Sequence, residues 1–126
     1  MPAFETLRGG RVVADPAALD AARWKGDPLV LRFAPDEAFA IGAAGGTLDD
    51  PDAILEPEAG FVGAWLTIEE LLSLVVPHLE WPLPETRPVL VQGTIAGVPA
   101  KLWLVGDRAL LVTLAAYGNE LEERLW

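Results

Sequence analysis

The chain contains no cysteine, a single histidine and a single serine, and it is poor in cations, with 9 Lys plus Arg against 19 Asp plus Glu in 126 residues. Without cysteine there is no disulfide, no zinc-thiolate or iron–sulfur site and no cysteine nucleophile. A net charge of −10 argues against nucleic acid and anionic membrane surfaces as partners, because both are met by clustered Lys and Arg. Long apolar runs are missing as well. Stretches such as Leu71 to Val76 and Leu102 to Val105 fall far short of the roughly 20 residues of a membrane helix. Met1-Pro2-Ala3-Phe4-Glu5 has neither the basic start nor the apolar run of a secretory signal. These absences together point to a cytoplasmic protein with no membrane partner.

What is present suits a packed core: 52% of residues are hydrophobic, within the size of one domain. Asp15 followed by Pro16 reads as the start of a helix that runs to Lys25 and ends at Gly26. Leu29–Phe33 and Ala38–Ile41, on either side of Ala34-Pro35-Asp36-Glu37, read as a hairpin. Residues 43–59 are rich in Gly, Ala, Pro and acid and read as a connector, with one brief strand near Ala53 to Leu55. Phe61–Leu66 reads as a strand, closed by Thr67 with Glu70 three residues on, the pattern of a capping box. Ile68, Leu71, Leu72, Val75 and Leu79 then recur at helical spacing until Pro77.

Three strands, Pro88–Ile95, Ala100–Val105 and Ala109–Ala115, follow, joined by Ala96-Gly97 and Gly106-Asp107. A last helix carries Tyr117, Leu121 and Leu125 on one stripe, with Asn119 as its cap. The expectation is one α+β domain over residues 1–126: a mostly antiparallel sheet with helices packed on one face. It comprises two β-α-β-β-like halves, about 1–42 and 60–126, joined by the acidic connector 43–59.

Chemistry is sparse. Ser73 and His78 stand five apart around a predicted helix with Pro77 between them and no Gly-x-Ser-x-Gly elbow, so they do not form a nucleophile and base. One His and no Cys leave only oxygen ligands for a metal. Starting from Asp50, the cluster Asp49, Asp50, Asp52, Glu56, Glu58 puts Ile54 and Leu55 where a calcium loop needs an acid and a glycine. Gly42-Ala43-Ala44-Gly45-Gly46 is followed by no Gly-Lys-Ser/Thr, so it is no phosphate cradle. No catalytic residue, no metal site and no cofactor site is assigned.

Two features stand out. From residue 33 to 86 there is no Lys or Arg, while eleven carboxylates fall in that span. Such a field either steers a basic partner onto the chain or keeps a small domain soluble. The five tryptophans, Trp24, Trp65, Trp81, Trp103 and Trp126, are an excess. Trp24, closing a helix, and Trp65, closing a strand, read as core. Trp103 alternates with Leu102 and Leu104 and so faces the other side of its strand. Trp81, in Leu79-Glu80-Trp81-Pro82-Leu83-Pro84, sits on a connector stiffened by proline, as an anchor for a partner or as a lid over the core.

Leu31-Arg32-Phe33-Ala34-Pro35-Asp36-Glu37-Ala38-Phe39-Ala40-Ile41-Gly42 resembles a hairpin of the glycine-cleavage T-protein folate-binding domain group, and particularly of the gamma subunit of heterotetrameric sarcosine oxidases. Ile95-Ala96-Gly97-Val98-Pro99-Ala100-Lys101-Leu102-Trp103 is similar to its late hairpin, and Leu110-Leu111-Val112 with Tyr117 to Leu125 to its final strand and helix. The departures are Ile54-Leu55-Glu56-Pro57-Glu58 in place of an Asp-x-Ser segment and Phe39 in place of a tryptophan. No match to a folate-binding acid is present. The resemblance therefore implies a non-catalytic subunit packed against larger chains, and not folate binding or aminomethyl transfer.

The resulting expectation is a non-catalytic accessory or partner-binding subunit of a larger assembly, with Trp81, His78, Arg87 and Trp126 as contact residues. The alternatives are a small-ligand binder or enzyme with a pocket between helices and sheet, in which Glu56, Glu58 and Glu80 hold a cationic substrate, and a homodimer that self-associates through the same patch.

Overall fold

A computed structural model describes residues 2–126. It is α+β, with 48% strand and 22% helix, and it divides into two compact units, Leu7–Gly60 and residues 2–6 with Phe61–Trp126. The strand pairings within each unit are antiparallel. Helices are few and do not form a clear layer on one face.

In the Leu7–Gly60 unit, strands β1 (Glu5–Val13), β3 (Leu29–Ala34) and β4 (Glu37–Ile41) form an antiparallel set with β4 in the middle. Val12 pairs with Ala38 and Leu31 with Phe39. The predicted hairpin is therefore present, and its second strand returns to β1. Arg32 locks the turn: its Nε and Nη2 donate to the Pro35 carbonyl at 3.1 and 2.9 Å, and Nη2 also reaches Pro16 O and Asp20. Val12, Ala14, Ala18, Leu19 and Ala38 make the small core of this unit, with Trp24 and Val30 packed on it.

Helix α1 is shorter than the sequence suggests. It spans Pro16–Asp20 instead of running to Lys25, because Arg23–Trp24 is taken as a two-residue strand, β2, by Gly46–Thr47, β5. Non-local backbone pairing here overrides a local helical preference. Trp24 consequently stands on a strand, its ring so close to Gly46 that a Cβ there would fall 2.7 Å from Cε3. The stretch 43–59 is also not a bare connector. Strand β6 begins at Ile54, within the brief strand expected near Ala53 to Leu55, and runs to Thr67, so the seven residues Ile54 to Gly60 are extended chain of which the pattern shows only the start. Those seven residues have no buried face, and a strand without one shows no two-residue alternation of apolar and polar positions.

In the other unit, the second part of β6 pairs with β9 (Arg108–Leu114), β9 with β8 (Val98–Val105), and β8 with β7 (Val89–Ile95). The two hairpin turns are as expected. Ala96 and Gly97 both have positive φ (51° and 80°), the geometry of the tight turn that matches strand twist, and Gly106 has φ 55°. Along β8, Val98, Ala100, Leu102 and Leu104 are buried while Lys101, Trp103 and Val105 are less so. Trp103 thus faces away from Leu102 and Leu104, as the alternation requires.

Helix α2 (Ile68–Glu70) continues through a wide π turn, Leu71–Val75, into a tight 3-10 turn, Val76–His78. Its start carries the predicted capping box: Glu70 N–H donates to Thr67 Oγ1 at 3.1 Å and Thr67 N–H to Glu70 Oε1 at 2.9 Å. Pro77 accounts for the irregular end, since it has no N–H to donate and its ring crowds the carbonyl four residues back. Leu71 and Val75 point inward, at 1% and 0% exposure, and burying such side chains stabilises by about 1.5–3 kcal/mol each.

The final helix α3 (Gly118–Leu125) places Leu121 and Leu125 in the same core as Leu66, Leu71, Leu102 and Leu104. Asn119 is not its cap. Tyr117 occupies that position after a 3-10 turn, Ala115–Tyr117, because the helix starts where Gly118 lies against Val62: a Cβ there would meet Val62 Cγ2 at 3.0 Å.

Candidate functional site

The four residues singled out in the sequence all fall in the unit that contains α2 and α3, and the side chains of three of them have partners within it. Trp81 Nε1–H donates to Thr94 O at 3.1 Å, and its ring lies against Gly93, where a Cβ would sit 3.1 Å from Nε1. It packs on the core beside Leu79 and Leu83, which is the position of a lid. The His78 carbonyl accepts the Ala96 N–H at 3.4 Å, so His78 and Trp81 are both brought to the end of β7, while the His78 residue is exposed. Arg87 folds back on its own loop, its Nη1 donating to Pro84 O and, at 3.0 Å, to Thr86 O. Trp126 stacks on Phe4 with ring centroids 5.4 Å apart and 18° between planes. Its Nε1 is buried without an acceptor.

Trp65 departs from its expected core role. It is 42% exposed, because Ala64 and Leu66, of the opposite parity along β6, take the buried face. The Arg108 guanidinium carbon stands 4.2 Å from the centre of its ring, within cation–π range. Helix α2 and the π turn that continues it add two more large apolar side chains left in water, Ile68 at 39% and Leu72 at 56%, and β9 ends in Leu114 at 45%. Ile68 and Leu72 share the helical apolar recurrence of Leu71, Val75 and Leu79. Spacing does not separate them from Leu71 and Val75, which are also four apart; the neighbouring Glu69 is the one local sign of a solvent side.

The other unit holds a shallow cleft of about 210 Å³ lined by Gly9, Gly10, Ala44, Leu55 and Glu56, among others. It adjoins a second of about 460 Å³ bordered by Arg8, Gly42 and Glu58. Gly9 is present because β1 and β4 approach closely: a Cβ at Gly9 would lie 2.0 Å from Ala40 O. Of the expected cation-binding acids, Glu56 and Glu58 border these clefts, whereas Glu80 belongs to the other unit. Glu58 is already engaged, since Arg11 bridges Glu37 and Glu58 and the Gly60 N–H donates to Glu58 at 2.9 Å. Those two carboxylates, above all Glu37, raise the Arg11 pKa beyond its ordinary value.

The acidic cluster around Asp50 has a structural purpose. Asp50 accepts the N–H of Asp15 at 2.8 Å and of Asp52 at 2.9 Å. Those two hydrogen bonds hold its carboxyl below the usual aspartate value. Among the described residues there is no group of three or more His, Asp or Glu placed to hold a metal ion. The glycine-rich turn spends its amides on the fold: Gly42 N–H bonds Arg8 O, Ala43 N–H bonds Ala40 O and Ala44 N–H bonds Lys25 O. Ser73 and His78 are both exposed and no hydrogen bond joins them among the described residues. No helix among the described residues is long and apolar enough to cross a membrane.

No protein-family model matches the chain, and no curated protein or solved structure does.

Proposed function

We propose that the chain is a non-catalytic accessory or partner-binding subunit of a larger assembly. The observation that carries this is the set of large apolar side chains that the α2/α3 unit leaves in water: Trp65, Ile68, Leu72 and Leu114, each at least 39% exposed. Exposed apolar surface rimmed by charge is the usual mark of a protein-binding site, and tryptophan is the residue most enriched at the centre of one. The charge pattern agrees, with eleven carboxylates and no cation from residue 33 to 86, a field suited to a basic partner. The resemblance to the gamma subunit of sarcosine oxidases fits the same reading and gives the assembly a character, an enzyme that oxidises amines or handles one-carbon units. The reading includes a cytoplasmic location. Binding of the tagged chain to a single larger protein, lost on Leu72→Ser, supports it; retention of the chain as a free monomer under every condition refutes it.

A second reading, a small-ligand-binding domain, draws on the glycine-floored cleft beside Arg8 and Glu56. Saturable shifts of the Gly9, Gly10 and Ala44 amides with a small cationic or zwitterionic compound would favour it over the first.

A further inference from the structure

We propose that the outer face of α2 and of the π turn that continues it docks a basic, amphipathic segment of a partner protein, an inference that deepens the partner-binding reading and rests on it. The face is defined by opposition. Leu71 and Val75 are buried at 1% and 0%, whereas Ile68 and Leu72, four apart, are 39% and 56% exposed. Residues at that spacing lie one above the other on a helix surface, so they form an apolar ridge with Glu69 beside it. An apolar pair of this kind takes the anchor side chains of an amphipathic segment laid against it.

The charge selects the partner. In the α2/α3 unit, Glu69, Glu70, Glu80 and Glu85 fall between Phe61 and Thr86, and no Lys or Arg does. Two cations border this span, Arg87, which donates to the Pro84 and Thr86 carbonyls, and Arg108, opposite Thr67 and over the Trp65 ring, so the four carboxylates still outnumber the cations. A second copy of this chain carries net charge −10 and would set like charges against each other on this face, at a cost. An anionic membrane surface and nucleic acid are repelled for the same reason. A segment with leucine-type anchors flanked by Lys or Arg meets both the ridge and the carboxylates.

The test is a titration of the isotope-labelled full chain, followed through its backbone amides, with a synthetic Leu/Lys peptide of about 18 residues patterned as an amphipathic helix. The control peptide keeps the leucines and replaces every lysine by glutamate. The expected result is shifts centred on residues 67–80, weakened as salt rises from about 50 to 300 mM, with no binding of the Glu peptide. Ile68→Ser with Leu72→Ser should raise Kd by about tenfold or more. Glu69→Lys, a surface change that leaves the apolar ridge intact, should raise it several-fold. Shifts centred elsewhere, equal binding of the Glu peptide, or wild-type affinity in both variants overturns the inference. If it is overturned while the chain still binds one larger protein, the docking face is wrong and the partner-binding reading stands. If no larger protein is bound at all, that reading fails too.

Discussion

Replacing Gly9 by alanine should be the most damaging small change in the Leu7–Gly60 unit. The new Cβ would fall 2.0 Å from Ala40 O, 2.8 Å from Ala40 C and 2.9 Å from Ile41 Cα, all backbone atoms of β4. Ordinary carbon contacts begin near roughly 3.5 Å, so β1 and β4 must separate by about 1.5 Å. That displacement breaks the 2.8 Å bond from Gly42 N–H to Arg8 O and the ladder bond next to the Gly9–Ile41 pair. Two lost backbone bonds at about 0.5–1.5 kcal/mol each, with the unsatisfied groups they leave, give about 2–4 kcal/mol.

Two neighbours supply the scale. Gly42 has φ 84° and open space around its Cβ position, so Gly42→Ala carries only the left-handed backbone cost of about 1–2 kcal/mol. At Gly10 the only close atom is Leu55 Cδ1 at 3.0 Å, the end of a side chain that can turn away, so Gly10→Ala should cost about 1 kcal/mol or less. Urea unfolding of the three variants, compared at constant m-value, reads the order directly. A Gly9→Ala variant within about 0.5 kcal/mol of the parent, or less destabilised than Gly42→Ala, would refute the close-approach argument.

Three further outcomes are expected. Trp126→Phe keeps the stack on Phe4 and removes the buried Nε1–H that lacks an acceptor, so unfolding should shift by less than about 1 kcal/mol in either direction, whereas Trp126→Ala should cost about 3 kcal/mol or more. Thr67→Ala removes one half of the capping box at α2 and should destabilise by about 1 kcal/mol in thermal or urea unfolding. Asp50, its carboxyl held low by the Asp15 and Asp52 amides, should titrate by NMR below a free aspartate. Its contribution to stability is present above the ordinary aspartate pKa and is lost as pH falls through the lowered folded value, and Asp50→Asn should remove that part of the acid dependence.

Local rules made some of this structure readable in advance, and their limits explain the rest. The turns at Ala96-Gly97 and Gly106-Asp107, the capping box at Thr67 and Glu70, and the alternation of β8 each depend on neighbours in sequence. Each therefore leaves a pattern there. The first part of β6 leaves only the brief strand signal near Ala53 to Leu55, because Ile54–Gly60 has no buried face. The true end of α1 was hidden for a different reason, since Arg23–Trp24 is claimed by Gly46–Thr47, more than twenty residues away. At the candidate surface, an acidic field was legible from charge alone. The exposure of Trp65, Ile68 and Leu72 was not, because apolar periodicity in a helix or strand identifies two adjacent stripes without saying which one the core accepts. Conversely, Trp81, Arg87 and Trp126 looked available in the sequence and are tied to Thr94, to the Pro84 and Thr86 carbonyls and to Phe4.

The most direct test of the partner-binding account is the solution mass of the purified chain, measured by light scattering alone and after incubation with lysate of its source. The account predicts the 13.5 kDa monomer on its own and one discrete heavier complex after incubation, a complex that the Ile68→Ser, Leu72→Ser variant forms weakly. A stable homodimer that recruits nothing would contradict it.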